Sequence, residues 1–194
     1  MTHRFNRAIV ITGGVATGKS TVAKALARRG FGVIDADVIS HECFYERAGA
    51  IMGLFGTLDR AVISERVFAS SADRAALEAI LHPMIRERIF ARATALEELG
   101  DRYFIDIPLF FEKKEDYPIA NAAVVYAPRQ TQIDRLMSFR AMSKEVAEAM
   151  IGSQLPIDEK RKSARWAIDN SADMPHLTQQ LEQFLRKIGD LEQI

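Results

Sequence analysis

The chain has 194 residues, 48% of them hydrophobic, and 26 Lys and Arg balance 26 Asp and Glu, so the formal net charge is zero. That apolar share supports one compact domain, or a core with small insertions. The neutral balance gives no global pull toward nucleic acid or a membrane surface, so any anion site must come from local clusters. The lone Cys43 excludes an internal disulfide and fits a reducing, cytoplasmic compartment. The basic opening, Met1 to Arg7, is too short for a signal peptide, and no stretch is long enough to span a bilayer.

Ala8–Thr12 is continuously apolar and β-branched, the pattern of a buried parallel strand. Gly13-Gly14-Val15-Ala16-Thr17-Gly18-Lys19-Ser20 follows, and Thr21 opens a helical stretch running to about Arg29, with Gly30 as its C-cap. Strand, glycine-rich loop and helix beginning Gly-Lys-Ser are the parts of a phosphate-binding loop. Glycines let the backbone bend until several N–H groups point at phosphate oxygens, and the helix N-terminus adds partial positive charge. Lys19 is expected to reach the β- and γ-phosphates of a nucleotide, and Ser20 to ligate Mg²⁺.

Phe31–Ile34 reads as the second strand, ending at Asp35-Ala36-Asp37. The carboxyl ends of parallel strands face the ligand crevice, so Asp37 stands on the rim of the phosphate loop. A carboxylate there could take the proton of an attacking alcohol; equally, Asp35 or Asp37 could merely cap the helix that begins near Val38. That helix is expected to run to Leu54 and close at Gly56, with a short helix over Ala61–Ala69. Asp73 is placed as the next N-cap. Apolar residues from Leu77 to Leu96 repeat at helical spacing, and Pro83 is expected to split the pattern, with His82 at the junction.

Tyr103–Ile107 is the third strand, and Asp106 stands where a carboxylate would hold Mg²⁺ directly or through water, or is an ordinary polar strand end. Ala122–Tyr126 is the fourth strand. Helices follow over Pro128–Phe139, over Lys144–Gln154 with Ser143 as cap, and over Pro156–Arg165. Trp166–Asn170 is the fifth strand, and Leu177, Leu181, Phe184, Leu185 and Ile188 stripe a closing helix. At least one of Arg135 and Arg140 is expected to supply a cation for phosphoryl transfer, while most of the run Lys160–Arg165 reads as a solvated face. Strands alternating with helices imply a parallel sheet covered on both sides, interrupted by insertions at about 38–99 and 139–165. No Asn-Lys-x-Asp signature and no basic patch interleaved with aromatics is present, which disfavours GTPases and nucleic-acid partners. A small-molecule kinase fits best; a nucleotide-binding protein without transfer activity is the alternative.

With these residues in place, the chain resembles the dephospho-coenzyme A kinases. The motifs are Thr12-Gly13-Gly14 leading to Gly18-Lys19-Ser20-Thr21, Val33-Ile34-Asp35-Ala36-Asp37 with His41, Leu58-Asp59-Arg60, Leu81-His82-Pro83, Pro108-Leu109-Phe110-Phe111-Glu112, Gln132 with Arg135-Leu136, Gln154 with Lys160, and Ile168-Asp169-Asn170. The resemblance implies an α/β P-loop kinase fold with a five-stranded parallel sheet. It implies transfer of the γ-phosphate of ATP, with Mg²⁺, to the ribose 3′-hydroxyl of dephospho-coenzyme A, by a monomer or small homo-oligomer that needs no nucleic acid or membrane. The core would comprise about 1–37, 100–138 and 166–194, with 38–99 the coenzyme A-binding region and 139–165 the lid. By position, Asp37 would be the general base, with Lys19 and Arg140 also catalytic. Gly13, Gly14, Ala16, Thr17, Gly18, Lys19, Ser20, Thr21 and Asn170 would bind ATP, and Asp37, Arg60, His82 and Pro108 the acceptor. Ser20 and Asp106 would serve Mg²⁺. Two departures stand out. Ala16 replaces a usual glycine, so a positive φ there would carry strain. Arg140 lies one residue beyond the usual Arg-Leu-x-x-Arg spacing, which rotates it by about 100° on a helix.

Overall fold

In the computed structural model, residues 5–189 are described. They form two compact units, one comprising the chain up to Val33 and from Leu96 onward, the other Ile34–Ala95.

The first unit is built on a five-stranded parallel sheet in the order β2-β3-β1-β4-β5. The strands are β1 (Ala8–Gly13), β2 (Gly32–Asp35), β3 (Tyr103–Asp106), β4 (Asn121–Tyr126) and β5 (Trp166–Asp169). β1 is central and wholly buried. It pairs with β3 (Ile11 opposite Asp106) on one side and with β4 (Thr12 opposite Val124) on the other. Helices α1 (Lys19–Arg28) and α9 (Met174–Gly189) cover one face. Side chains alternate along a strand, so Ile9, Ile11, Phe104, Ala123, Val125 and Ile168 point to that face together. They meet Val22 and Leu26 of α1 and Leu177, Leu181, Phe184 and Ile188 of α9. Each such buried side chain is worth roughly 1.5–3 kcal/mol relative to exposure. A smaller core joins α6 (Arg129–Arg140) to α7 (Lys144–Gly152) through Ile133, Leu136 and Ala147, with Val15 and Ala16 packed on it.

The second unit is helical: α2 (Ala36–Glu46), α3 (Ala48–Phe55), α4 (Arg60–Ala69) and most of α5 (Ser71–Leu99). Ile39, Cys43, Phe44, Ile51, Phe55, Ile63, Leu81 and Ile89 form its interior. Arg88 and Arg92 of α5 pair with Glu46 and Glu42 of α2.

Three expectations for this unit are corrected. The helix expected over 38–54 is two helices, because Arg47 leaves helical geometry (φ −98°, ψ 15°). The split expected at Pro83 does not occur, since α5 runs unbroken through it. A proline removes one i→i−4 hydrogen bond, and the interior contacts of Leu81 and Ile89 on either side hold the axis across that gap. Asp73 is not the N-cap but lies in the first turn, where its N–H donates to Ser70 Oγ at 3.1 Å. The cap expected at Ser143 is present, its Oγ accepting from Val146 N.

Candidate active site

The loop after β1 is pinned through several of its carbonyls. Gly14 O accepts from Thr17 Oγ1 at 2.9 Å, and Thr17 is fully buried. Ala16 O accepts from Arg135 Nη1 at 3.3 Å, and Thr17 O from Asn170 Nδ2 at 2.8 Å. Arg135 Nη2 also donates to Asn170 O at 2.8 Å, tying the helix after β4 to the loop after β5. The C=O and N–H of a trans peptide point in opposite directions, so the bond to Thr17 O fixes the direction of the Gly18 N–H. Among the described residues no acceptor takes the amides of Ala16, Gly18, Lys19 or Ser20. No side chain caps α1, and its first turn carries no acidic residue. Orphan amides and the helix dipole both favour negative charge there.

Two loop positions show why residue type matters. Gly18 sits at φ 88°, and a Cβ there would collide with the Asn170 amide. Ala16 sits at φ 58°, so the expected strain is real: an L-residue in the left-handed region costs roughly 1–2 kcal/mol.

Lys19 lies 10% exposed and forms an ion pair with Asp106, whose side chain is 4% exposed at the end of β3. Ser20 is exposed on the first turn of α1. Hydroxyl and carboxylate are hard oxygen donors, the type Mg²⁺ takes. Among the described residues no three His, Cys, Asp or Glu cluster as a metal site.

A cavity of about 440 Å³ opens beside the loop, lined by Ala16, Gly18, Thr21, Arg135, Arg140 and Asn170 among others. α6 continues as regular helix to Arg140 and ends in a left-handed cap at Ala141 (φ 51°). Arg140 is thus about 140° around the axis from Arg135, yet both border this cavity. Sequence reasoning missed Phe139 and Met174, which line the same cavity while 83% and 58% exposed. The available signal was a phenylalanine on the polar end of α6.

In the helical unit, Asp35 Oδ1 accepts from the amides of Asp37 and Val38 at 2.9 and 3.1 Å. Asp35 alone therefore caps α2, and the exposed carboxylate of Asp37 has no part in it. Asp37 borders an open pocket with Val38, Ser40, His41, Glu42 and Arg60. Arg60 Nη1 lies 2.6 Å from His41 Nδ1. A guanidinium only donates, so Nδ1 is the acceptor and His41 carries its proton on Nε2. Arg60 also lies 5.7 Å over the Phe44 ring, and His41 packs edge-on against Tyr45. His82 is half-buried in α5 and is not part of that lining. Pro108 follows β3, and its carbonyl accepts from Thr12 Oγ1 at 3.1 Å.

The chain has known counterparts. The family model described as Dephospho-CoA kinase matches residues 7–176. A dephospho-CoA kinase of Wolinella succinogenes is 43% identical, over 93% of this chain and 94% of the relative. Among solved structures, TT1252 from Thermus thermophilus superposes with a TM-score of 0.82 at 31% identity, covering 95% of this chain and 98% of that one. Dephospho-CoA kinase from Campylobacter jejuni superposes with a TM-score of 0.72 at 28% identity, covering 96% and 99%. Matches of this identity, running nearly end to end, place the chain in the dephospho-CoA kinase family.

Proposed function

We propose that this chain transfers the γ-phosphate of ATP to the ribose 3′-hydroxyl of dephospho-CoA, giving CoA and ADP. The carrying observation is the phosphate loop, with two carbonyls held by Arg135 and Asn170, an uncapped helix start and Lys19 beside it. Phosphoryl transfer needs little covalent help from protein; it needs alignment and positive charge around the moving group.

In this reading Gly13, Gly14, Ala16, Thr17, Gly18, Ser20 and Thr21 hold the triphosphate, with Lys19 leaving Asp106 to meet the β- and γ-oxygens. The base lies in the cavity bordered by Arg135 and Asn170, where Phe139 and Met174 offer it apolar faces. Mg²⁺, held by Ser20 and Asp106, would neutralise charge on the phosphates. Asp37 orients the acceptor hydroxyl and takes its proton. Its carboxylate is available because Asp35 does the capping. Arg60, His82 and Pro108 belong to acceptor binding, with residues 38–99 as the CoA-binding region. Residues 139–165 act as the lid, and Arg140 at its start closes on the transferring group, excluding the water that would otherwise take the phosphate. The enzyme works in the cytoplasm, as a monomer or small homo-oligomer, where buried Cys43 stays reduced.

The test is ATP-dependent phosphorylation of dephospho-CoA by the purified protein with Mg²⁺, alongside AMP, CMP and shikimate as acceptors. Product is read by mass, with Lys19→Ala as blank. Transfer to dephospho-CoA alone is expected. Tight ATP binding without transfer to any acceptor would overturn the kinase reading.

A further inference from the structure

The start of the phosphate loop is gripped by residues the mechanism does not use. Lys160 of α8 (Ile157–Ser163) is fully buried, although it begins a basic run that otherwise reads as a solvated face; Arg161, Lys162 and Arg165 are indeed exposed. Its Nζ lies 3.2 Å from Gly13 O and 2.7 Å from Glu112 Oε1. Glu112 Oε1 also accepts from Leu155 N at 3.1 Å. One residue before Leu155, Gln154 Oε1 accepts from Val15 N at 2.9 Å. The two attachments straddle Gly14, which packs so closely on Gln132 that a Cβ would lie 2.8 Å from its Nε2.

Burying an ammonium is costly, and the pairing with Glu112 only offsets that cost; an apolar side chain would fill the space without it. What a methionine could not do is hold the Gly13 carbonyl. We infer that Lys160, supported by Glu112 and Gln154, is a positioning device for nucleotide binding. It fixes the peptide planes on either side of Gly14 and so sets the direction of the amides that follow. Because Gln154 and Lys160 belong to the segment 139–165, the same bonds make the order of that segment depend on the loop. The inference rests on ATP binding at this loop, as proposed above.

Two variants separate positioning from simple stability. Lys160→Met with Glu112→Leu removes both charges and leaves neither buried alone. Gln154→Leu removes only the bond to Val15. ATP and dephospho-CoA affinities are measured by calorimetry, first on the wild-type chain, where absence of ATP binding would refute the nucleotide reading itself. The double variant is expected to weaken ATP binding by about 10–100-fold, and Gln154→Leu by about 3–10-fold. Dephospho-CoA affinity should stay within twofold for both, and amide exchange at Gly14 and Val15 should quicken in each. If ATP affinity stays within twofold of wild type in Gln154→Leu and in whatever double variant folds, the inference is wrong. It is also wrong if both ligands weaken together. Should the double variant not fold, Gln154→Leu alone decides.

Discussion

Lys19 and Asp106 form a nearly buried ion pair between the first turn of α1 and the end of β3. The cation that the proposed mechanism sends to the phosphates is thus parked on the carboxylate proposed to serve the metal. Replacing Asp106 by Asn leaves Lys19 without its counter-charge. Breaking a buried pair costs about 3–5 kcal/mol, and the residual exposure of Lys19 argues for the low end or slightly below, about 2–3 kcal/mol. For a chain of this size that lowers Tm by roughly 4–12 °C, read by calorimetry. ATP should restore more of the loss than it adds to wild type, and Mg²⁺-dependent turnover should fall at least about tenfold. Unchanged turnover would remove Asp106 from metal duty.

Asp35 caps α2, so Asp37 is not needed for folding there. Asp37→Asn should leave Tm within about 1–2 °C, as expected for an exposed position. Turnover should drop by about 10²–10⁴ with ATP affinity unchanged, the loss expected when a general base is removed. A fall of only a few-fold would assign Asp37 to orientation, not proton transfer.

Ala16 is held at φ 58°. Ala16→Gly relieves roughly 1–2 kcal/mol of strain but returns about 0.4–1 kcal/mol through the more flexible unfolded chain. A net gain of about 0–1.6 kcal/mol is expected in chemical denaturation. Ala16→Val should lose at least about 1 kcal/mol, because a β-branched residue fits this region worst.

Phe139 is 83% exposed at the mouth of the cavity beside the loop. If the nucleotide base packs on it, Phe139→Ala removes a stacking contact of about 0.5–1.5 kcal/mol. KM for ATP should rise about 2–10-fold with little change in kcat. Phe139→Trp should report ATP binding by a change in its fluorescence.

Burial pushes the Cys43 thiol above its ordinary value, more than nearby Arg88 lowers it. The folded state therefore favours the neutral thiol. Stability from this group is present below the thiol's unfolded pKa and is lost as pH rises through the higher folded value. Alkylation near pH 8 should be slow in the native protein and fast once denaturant exposes the thiol; equal rates would contradict the buried placement.

What the sequence by itself determined is chemistry written in consecutive residues. Ala8–Thr12, the loop from Gly13 to Ser20, and Asp35 to Asp37 were legible because local backbone rules and short spacing specify them. Parallel strands were legible because continuous apolar runs alternated with helical stripes. What only the tertiary structure decided depends on packing between distant segments. It chose Asp35 over Asp37 as the cap, carried α5 through Pro83, and brought Arg140 to the cavity despite its shifted register. It buried Lys160 out of a run of charges, because the partners that stabilise it, Glu112 and the Gly13 carbonyl, lie 48 and 147 residues away. No local pattern encodes a neighbour at that distance.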